Sequence, residues 1–197
     1  MNCKFTDSDN TTYNDTIWVP GKWRKTDGSG ELCGPGWLHY YEHPLLAELH
    51  NPIHGKYDTG AKLWEIQVGR KILRDDQMKA GATRIRLIRE IGRPDITIVQ
   101  RLAYGILCAK AVYRDRTWNN WADKWLSGED RSGNAANDGY VNADVSPAWK
   151  AADAVCMAEE RVISQALYRI AAAADDAAVT HPDIDLLTIA KRAMEVV

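Results

Sequence analysis

The chain has one phenylalanine among 197 residues, four cysteines, and no apolar run that approaches the thickness of a bilayer. Each scarcity excludes something. Cys3, Cys33, Cys108 and Cys156 lie far apart and form no Cys-x-x-Cys pair, so neither a disulfide framework nor a zinc ribbon is expected. The segment Met1–Asp7 lacks the apolar centre of a secretory leader, which predicts a cytoplasmic protein with no membrane partner. A formal charge of −2 offers no basic excess, so nucleic acid is not expected as a direct partner, although a local patch of either sign can hide in such an average. Gly28-Ser29-Gly30 is not followed by the Lys-Ser/Thr pair and helix of a phosphate loop, and no Gly-x-Ser-x-Gly elbow occurs. No cofactor is expected.

Ordinary hydrophobic (45%) and charged (26%) contents place what remains among globular proteins with a real core. Aromatic residues are unusual in kind: eight tryptophans and eight tyrosines stand against the single phenylalanine. Such amphipathic rings suit places where one edge is dry and the other meets a polar group, as at binding surfaces.

The hydrophobic period divides the chain. Residues 1–93 predict a small antiparallel β-rich module and 94–197 a helical region, an α+β fold. In the first part, turn clusters at Asp7–Asn10 and Asp27–Gly30 separate short strands, and Pro35 between two glycines makes a sharp turn of the box Leu32–His39. A strand is predicted from Trp37 to Tyr41, a short helix from Pro44 to Leu49 ended by Asn51-Pro52, and strands at Leu63–Val68, Arg70–Arg74 and Thr83–Ile91. Strict alternation puts Ile85, Leu87, Arg89 and Ile91 on one face, with Arg84, Arg86 and Ile88 on the other. In the second part, Thr97 and Gln100 form a capping box ahead of a helix with the stripe Ile98, Leu102, Gly105, Ile106, Ala109 and Val112. A second helix runs over Trp118–Leu126, a polar loop over about 127–146, and a long helix from Ser146 (cap) to about Ala174. Asp183 is expected to cap the last helix.

Several residues carry chemistry. Cys33, His39, His43, His50 and His54 are of the types that zinc favours, and His39/His43 and His50/His54 have an offset that a helix aligns. Pro44 and Pro52 are expected to keep either pair off one helical turn, so no metal site is expected. The candidate binding residues are Trp37, His39 and His43, the tryptophan stripe Trp118, Trp121 and Trp125, and the arginines Arg84 and Arg86. Core packing is the ordinary reading of the stripe, and a solvated face that of the arginines. Positive φ at Gly36 would make the box intolerant of a larger residue.

The box, the pair His43-Pro44, the strand Leu63–Val68, Lys79 and the strand Thr83–Glu90 together resemble an uncharacterised domain family of phage, prophage and actinobacterial proteins. The likeness covers roughly residues 4–91. Members carry a Cys-x-x-Gly-x-His element; here Trp37-Leu38 puts two residues between Gly36 and His39. The second half is similar to alanine-rich helical tails attached to that domain, with Trp121–Ser132 as the junction. The resemblance implies a phage-type accessory protein that binds a bacterial host protein or complex without catalysis, in the manner of an anti-CRISPR inhibitor. Two alternatives stand beside it. One is an enzyme that binds NAD, like ADP-ribosyltransferases, with His39, Tyr41 and Glu65 as its polar candidates. The other is a structural protein that forms homo-oligomers through its alanine-rich helices.

Overall fold

The computed structural model describes residues 1–13, 15–55, 57–74 and 78–197, which fold as an α+β protein in two units, Met1–Pro94 and Asp95–Val197. Among the described residues no helix is long and apolar enough to cross a membrane.

The N-terminal unit contains β1 (Cys3–Thr6), β2 (Thr11–Thr12), β3 (Thr16–Ile17), β4 (Arg24–Lys25), β5 (Leu38–Tyr40), α1 (Pro44–His54), β6 (Lys62–Leu73) and β7 (Ala80–Ile91). Its main sheet is antiparallel in the order β1-β6-β7-β4, with β5 also paired to β7; β2 and β3 form a separate hairpin. Cys3 and Tyr41 exchange both backbone hydrogen bonds at 2.8 Å, so the path β1-β6-β7-β5 returns to β1. Two apolar clusters result. One gathers Trp18, Leu38, Tyr40, Trp64, Ile66, Ile85 and Leu87. The other gathers Cys3, Phe5, Tyr41, Ala47 and Leu63, with α1 supplying Ala47.

The expected strands at Leu63–Val68 and Arg70–Arg74 are one strand, β6. It is broken in register between Gly69 and Ile72, where Arg70 takes φ +66°. A second irregularity corrects the expected faces of β7. Ile66 pairs with Leu87 but Glu65 with Arg89, which leaves Ile88 as an extra residue. The insertion reverses the alternation, so Arg89 leaves the buried face of Ile85 and Leu87 and pairs instead with Glu65 at 2.5 Å.

Helix α1 runs through Asn51-Pro52, against expectation. Pro52 deletes one backbone bond in the last turn. The helix end is held all the same, because Gly55 N–H donates to the Asn51 carbonyl, and the Asn51 amide exchanges hydrogen bonds of 2.8 and 2.9 Å with the Tyr57 backbone. His50 and His54 therefore do share a helix.

The C-terminal unit is all helix among its named elements: α2 (Ile98–Val112), α3 (Arg116–Ser127), α4 (Gly133–Val141), α5 (Ser146–Glu159), α6 (Ile163–Thr180) and α7 (Leu186–Ala193). The Thr97–Gln100 capping box is present. Helix α2 is buried from Leu102 through Ala109, all round rather than along one stripe, as suits the central helix of a bundle. Three expectations change here. The polar stretch 127–146 contains α4, started by the Ser132 hydroxyl, which accepts from Ala135 N–H. The long helix is two helices. Arg161 at φ +62°, with bonds from its own N–H to Ala158 and from Val162 N–H to Met157, closes α5 in a Schellman turn that usually uses glycine. Ser146 does not cap α5: its hydroxyl bonds Asp176 on α6, beside the Lys150–Asp176 ion pair of 2.5 Å. The cap of α7 is Asp185 rather than Asp183, because Asp185 is placed to accept from Thr188 N–H at 2.9 Å.

Candidate functional site

Packing of the box against β7 is tight, and glycine makes it possible. A Cβ on Gly36 would lie 2.2 Å from the Ser29 carbonyl oxygen, and one on Gly81 would lie 2.5 Å from Leu32. Gly36 is thus needed for close backbone approach, reinforced by a 2.9 Å bond from Gly28 N–H to its carbonyl, and not for the positive φ that was expected; the positive values fall at Gly28 and Gly30. Trp37 is buried, its indole N–H donating to the Gly30 carbonyl at 3.1 Å. His39 follows on β5, where Nε2 meets the Leu32 carbonyl. That contact places the ring proton on Nε2.

Anchored in this way, the box forms one wall of a cleft of about 520 Å³. Cys33, Gly34, Pro35, Trp37, Leu38 and His39 line it, and β1 supplies Lys4 and Phe5. The β2–β3 hairpin and its flank bring Thr12, Tyr13, Thr16 and Trp18; Arg24 and Thr26 come from β4 and the residue after it. Tyr40, Tyr41, His54, Tyr57 and Lys79 complete the enclosure.

The electrostatics are one-sided. Among the described residues the lining holds Lys4, Arg24 and Lys79 and no carboxylate. Lys4 donates to the His39 carbonyl at 2.7 Å and lies 5.0 Å over the Trp18 ring, with Arg24 at 5.8 Å from the same ring. Burial, and then the Arg24 charge, bring the Lys4 ammonium down to a pKa of about 8. The hydroxyls of Tyr40 and Thr26 are buried without a hydrogen-bond partner. The cleft thus presents cations and unmet polar groups between aromatic walls, a surface suited to an acceptor-rich anion that carries a flat ring.

The histidines divide. His54 lines the cleft, 3.1 Å from the Tyr41 hydroxyl. His50 is buried one turn back with its ring edge-on to His54, and burial followed by the His54 charge lowers it to about 3. His43 caps α1, its Nδ1 accepting from Leu45 N–H. Cys33 is exposed at the rim. Among the described residues no three or more His, Cys, Asp or Glu side chains are gathered as metal ligands.

Of the sequence candidates, the structure brings together Trp37, His39, Tyr41, Cys33 and His54, with Lys79 of the family likeness. Glu65, Arg84 and Arg86 lie elsewhere on the sheet, and Glu65 is paired with Arg89. Trp118, Trp121 and Trp125 are buried in the helical unit, with Trp118 and Trp121 in edge contact at 5.3 Å. Sequence reasoning missed Lys4, Arg24, Trp18 and Tyr40. The one available signal was alternation: Cys3 and Phe5 are apolar and Lys4 between them points to the other face.

A family model described as a domain of unknown function (DUF7666) matches residues 1–99. The chain belongs to that family. No curated protein and no solved structure matches it. Every described residue that lines the cleft falls within the DUF7666 span.

Proposed function

We propose that the DUF7666 domain of this chain is a binding module whose cleft holds a small phosphorylated ligand with a planar ring, of the nucleotide class, without transforming it. The observation that carries this reading is the convergence of Lys4, Arg24 and Lys79 with aromatic walls and no carboxylate among the described lining residues. A phosphate supplies a negative charge and strong acceptors for these cations, and a base supplies a face for the rings. The alternative of ADP-ribosyl transfer has less support, since Glu65, its acidic candidate, is engaged by Arg89 away from the cleft. Calorimetric titration of the full chain with ADP-ribose, NAD, adenosine and inorganic phosphate tests the proposal. The phosphorylated nucleotides should bind and adenosine should not. Lys4→Met should weaken binding by about tenfold or more, as for loss of one charge-assisted contact. Affinity should also fall as pH rises through about 8, where Lys4 loses its proton. Absence of heat with both nucleotides and phosphate would overturn the reading.

A second reading keeps the accessory role: a phage-type protein that acts in the bacterial cytoplasm by binding a host complex. It is favoured by Tyr13, Ile17 and Val19, large apolar residues exposed together around the β2–β3 hairpin. Its test is co-purification of one stoichiometric complex that is lost in the double variant Tyr13→Ser, Ile17→Ser. The homo-oligomer alternative draws no comparable support, because the alanines of α5 and α6 are largely buried within their own unit.

A further inference from the structure

The open face of the β6–β7 ribbon carries a second feature, separate from the cleft. Trp23, just before β4, lies with Arg84 and Arg86 at 4.1 and 5.0 Å from its ring centroid. Gly69 lies beneath that ring, and a Cβ there would meet it at an ordinary contact distance of 3.6 Å. Register places Lys25 and Gly69 on either side of Arg84, and Gln67 beside Arg86, so these residues share one face. Arg86 Nε–H donates to the Gln67 side-chain Oε1 at 2.8 Å. Among the described residues neither Arg84 nor Arg86 has a carboxylate partner, and the Arg84 Nε is buried without an acceptor. Next along the sheet, Arg89 extends the row and holds Glu65, an acid already neutralised.

An arginine fork without a carboxylate suits an oxyanion that offers it two oxygens, as a phosphate does. Two of them at alternate positions of one strand stand about 7 Å apart at roughly 3.4 Å per residue. That spacing is of the order of the step between phosphates in an unstacked strand. A tryptophan between them adds a surface on which bases stack regardless of sequence. We infer that Trp23, Lys25, Arg84 and Arg86 form a binding surface for single-stranded nucleic acid. This departs from the expectation drawn from net charge, because a value of −2 averages over a sheet face on which these cations are concentrated.

The experiment is fluorescence anisotropy of a labelled oligothymidylate titrated with the full chain at several salt concentrations. The wild type should bind with an affinity that falls steeply with salt. Lys25→Gln, on an exposed side chain, should weaken binding a few-fold and reduce the salt slope by about one. Arg86→Gln and Trp23→Ala should each weaken it about tenfold or more, with unchanged far-ultraviolet circular dichroism as the check on folding. No binding by the wild type at low salt overturns the inference. So does binding that is indifferent to Lys25→Gln and Arg86→Gln, or equal displacement by polyglutamate, which would make the surface one for acidic peptides.

Discussion

The two units bury different chemistry. The N-terminal unit encloses histidine, glutamate and asparagine, and hydrogen bonds tie its Glu48 and Asn51 to distant parts of the chain. The helical unit encloses alanine, and tryptophans whose three indole N–H groups, on Trp118, Trp121 and Trp125, have no hydrogen-bond partner among the described residues. One interior is a network that tolerates little change; the other is shape and volume. The proposed ligand cleft lies in the first kind, because groups left partly unsatisfied at the edge of a network are those a ligand can complete.

The contrast can be broken by acid, with the largest expected effect. His50 is lowered from 6.5 to about 3 in the folded state. The unfolded chain therefore binds the extra proton first, and stability is lost as pH falls from 6.5 toward 3, by several kcal/mol in all. His181, the histidine of the helical unit, is exposed. Calorimetric melts over that range should show the N-terminal unit failing ahead of the helices; loss of both together would erase the distinction.

Volume should rule the helical unit. Trp118→Ala removes a fully buried ring and should cost about 3–5 kcal/mol in denaturant titrations. Trp118→Phe should recover most of it, since the indole N–H makes no bond; failure of that recovery would reveal a polar role. In the N-terminal unit, Arg93 forks onto the buried Glu48 at 2.9 and 3.0 Å and donates to the Asp58 carbonyl. Arg93→Ala should cost about 3 kcal/mol, the lower end for a broken buried pair because Arg93 itself is partly exposed. A cost below about 1 kcal/mol would place that pair with surface ion pairs. Gly36→Val should cost about 2 kcal/mol through the clash with Ser29, and it should lower ligand affinity in the cleft. The smallest effect is a gain: Arg161→Gly should add about 1 kcal/mol by relieving left-handed backbone at the α5–α6 turn.

Legibility followed the range of the interaction. The α+β class, the Thr97 capping box and the Trp118–Leu126 helix were readable because each is written in local spacing. The errors lie where a distant contact overrides a local rule. Pro52 stays in α1 because the helix end is anchored through Asn51 to Tyr57. Ser146 leaves its cap for Asp176 thirty residues on. The α5–α6 break escaped notice because arginine occupies a place that glycine usually marks. At the cleft, the box was visible as a cluster of unusual residues, whereas Lys4 and Arg24 are unremarkable cations until the sheet brings them together.

The sequence by itself determined the periodicities, the turn at Pro35 and the residue types of the box, because these depend on neighbours within a turn or a strand repeat. Only the tertiary structure decided that β1, β4, the box and α1 enclose one cleft with cations on its wall. It also decided that the extra residue Ile88 brings Arg89 onto the face of Arg84 and Arg86. Both outcomes rest on strand register, which a single inserted residue reverses and which pairing between remote segments alone can set.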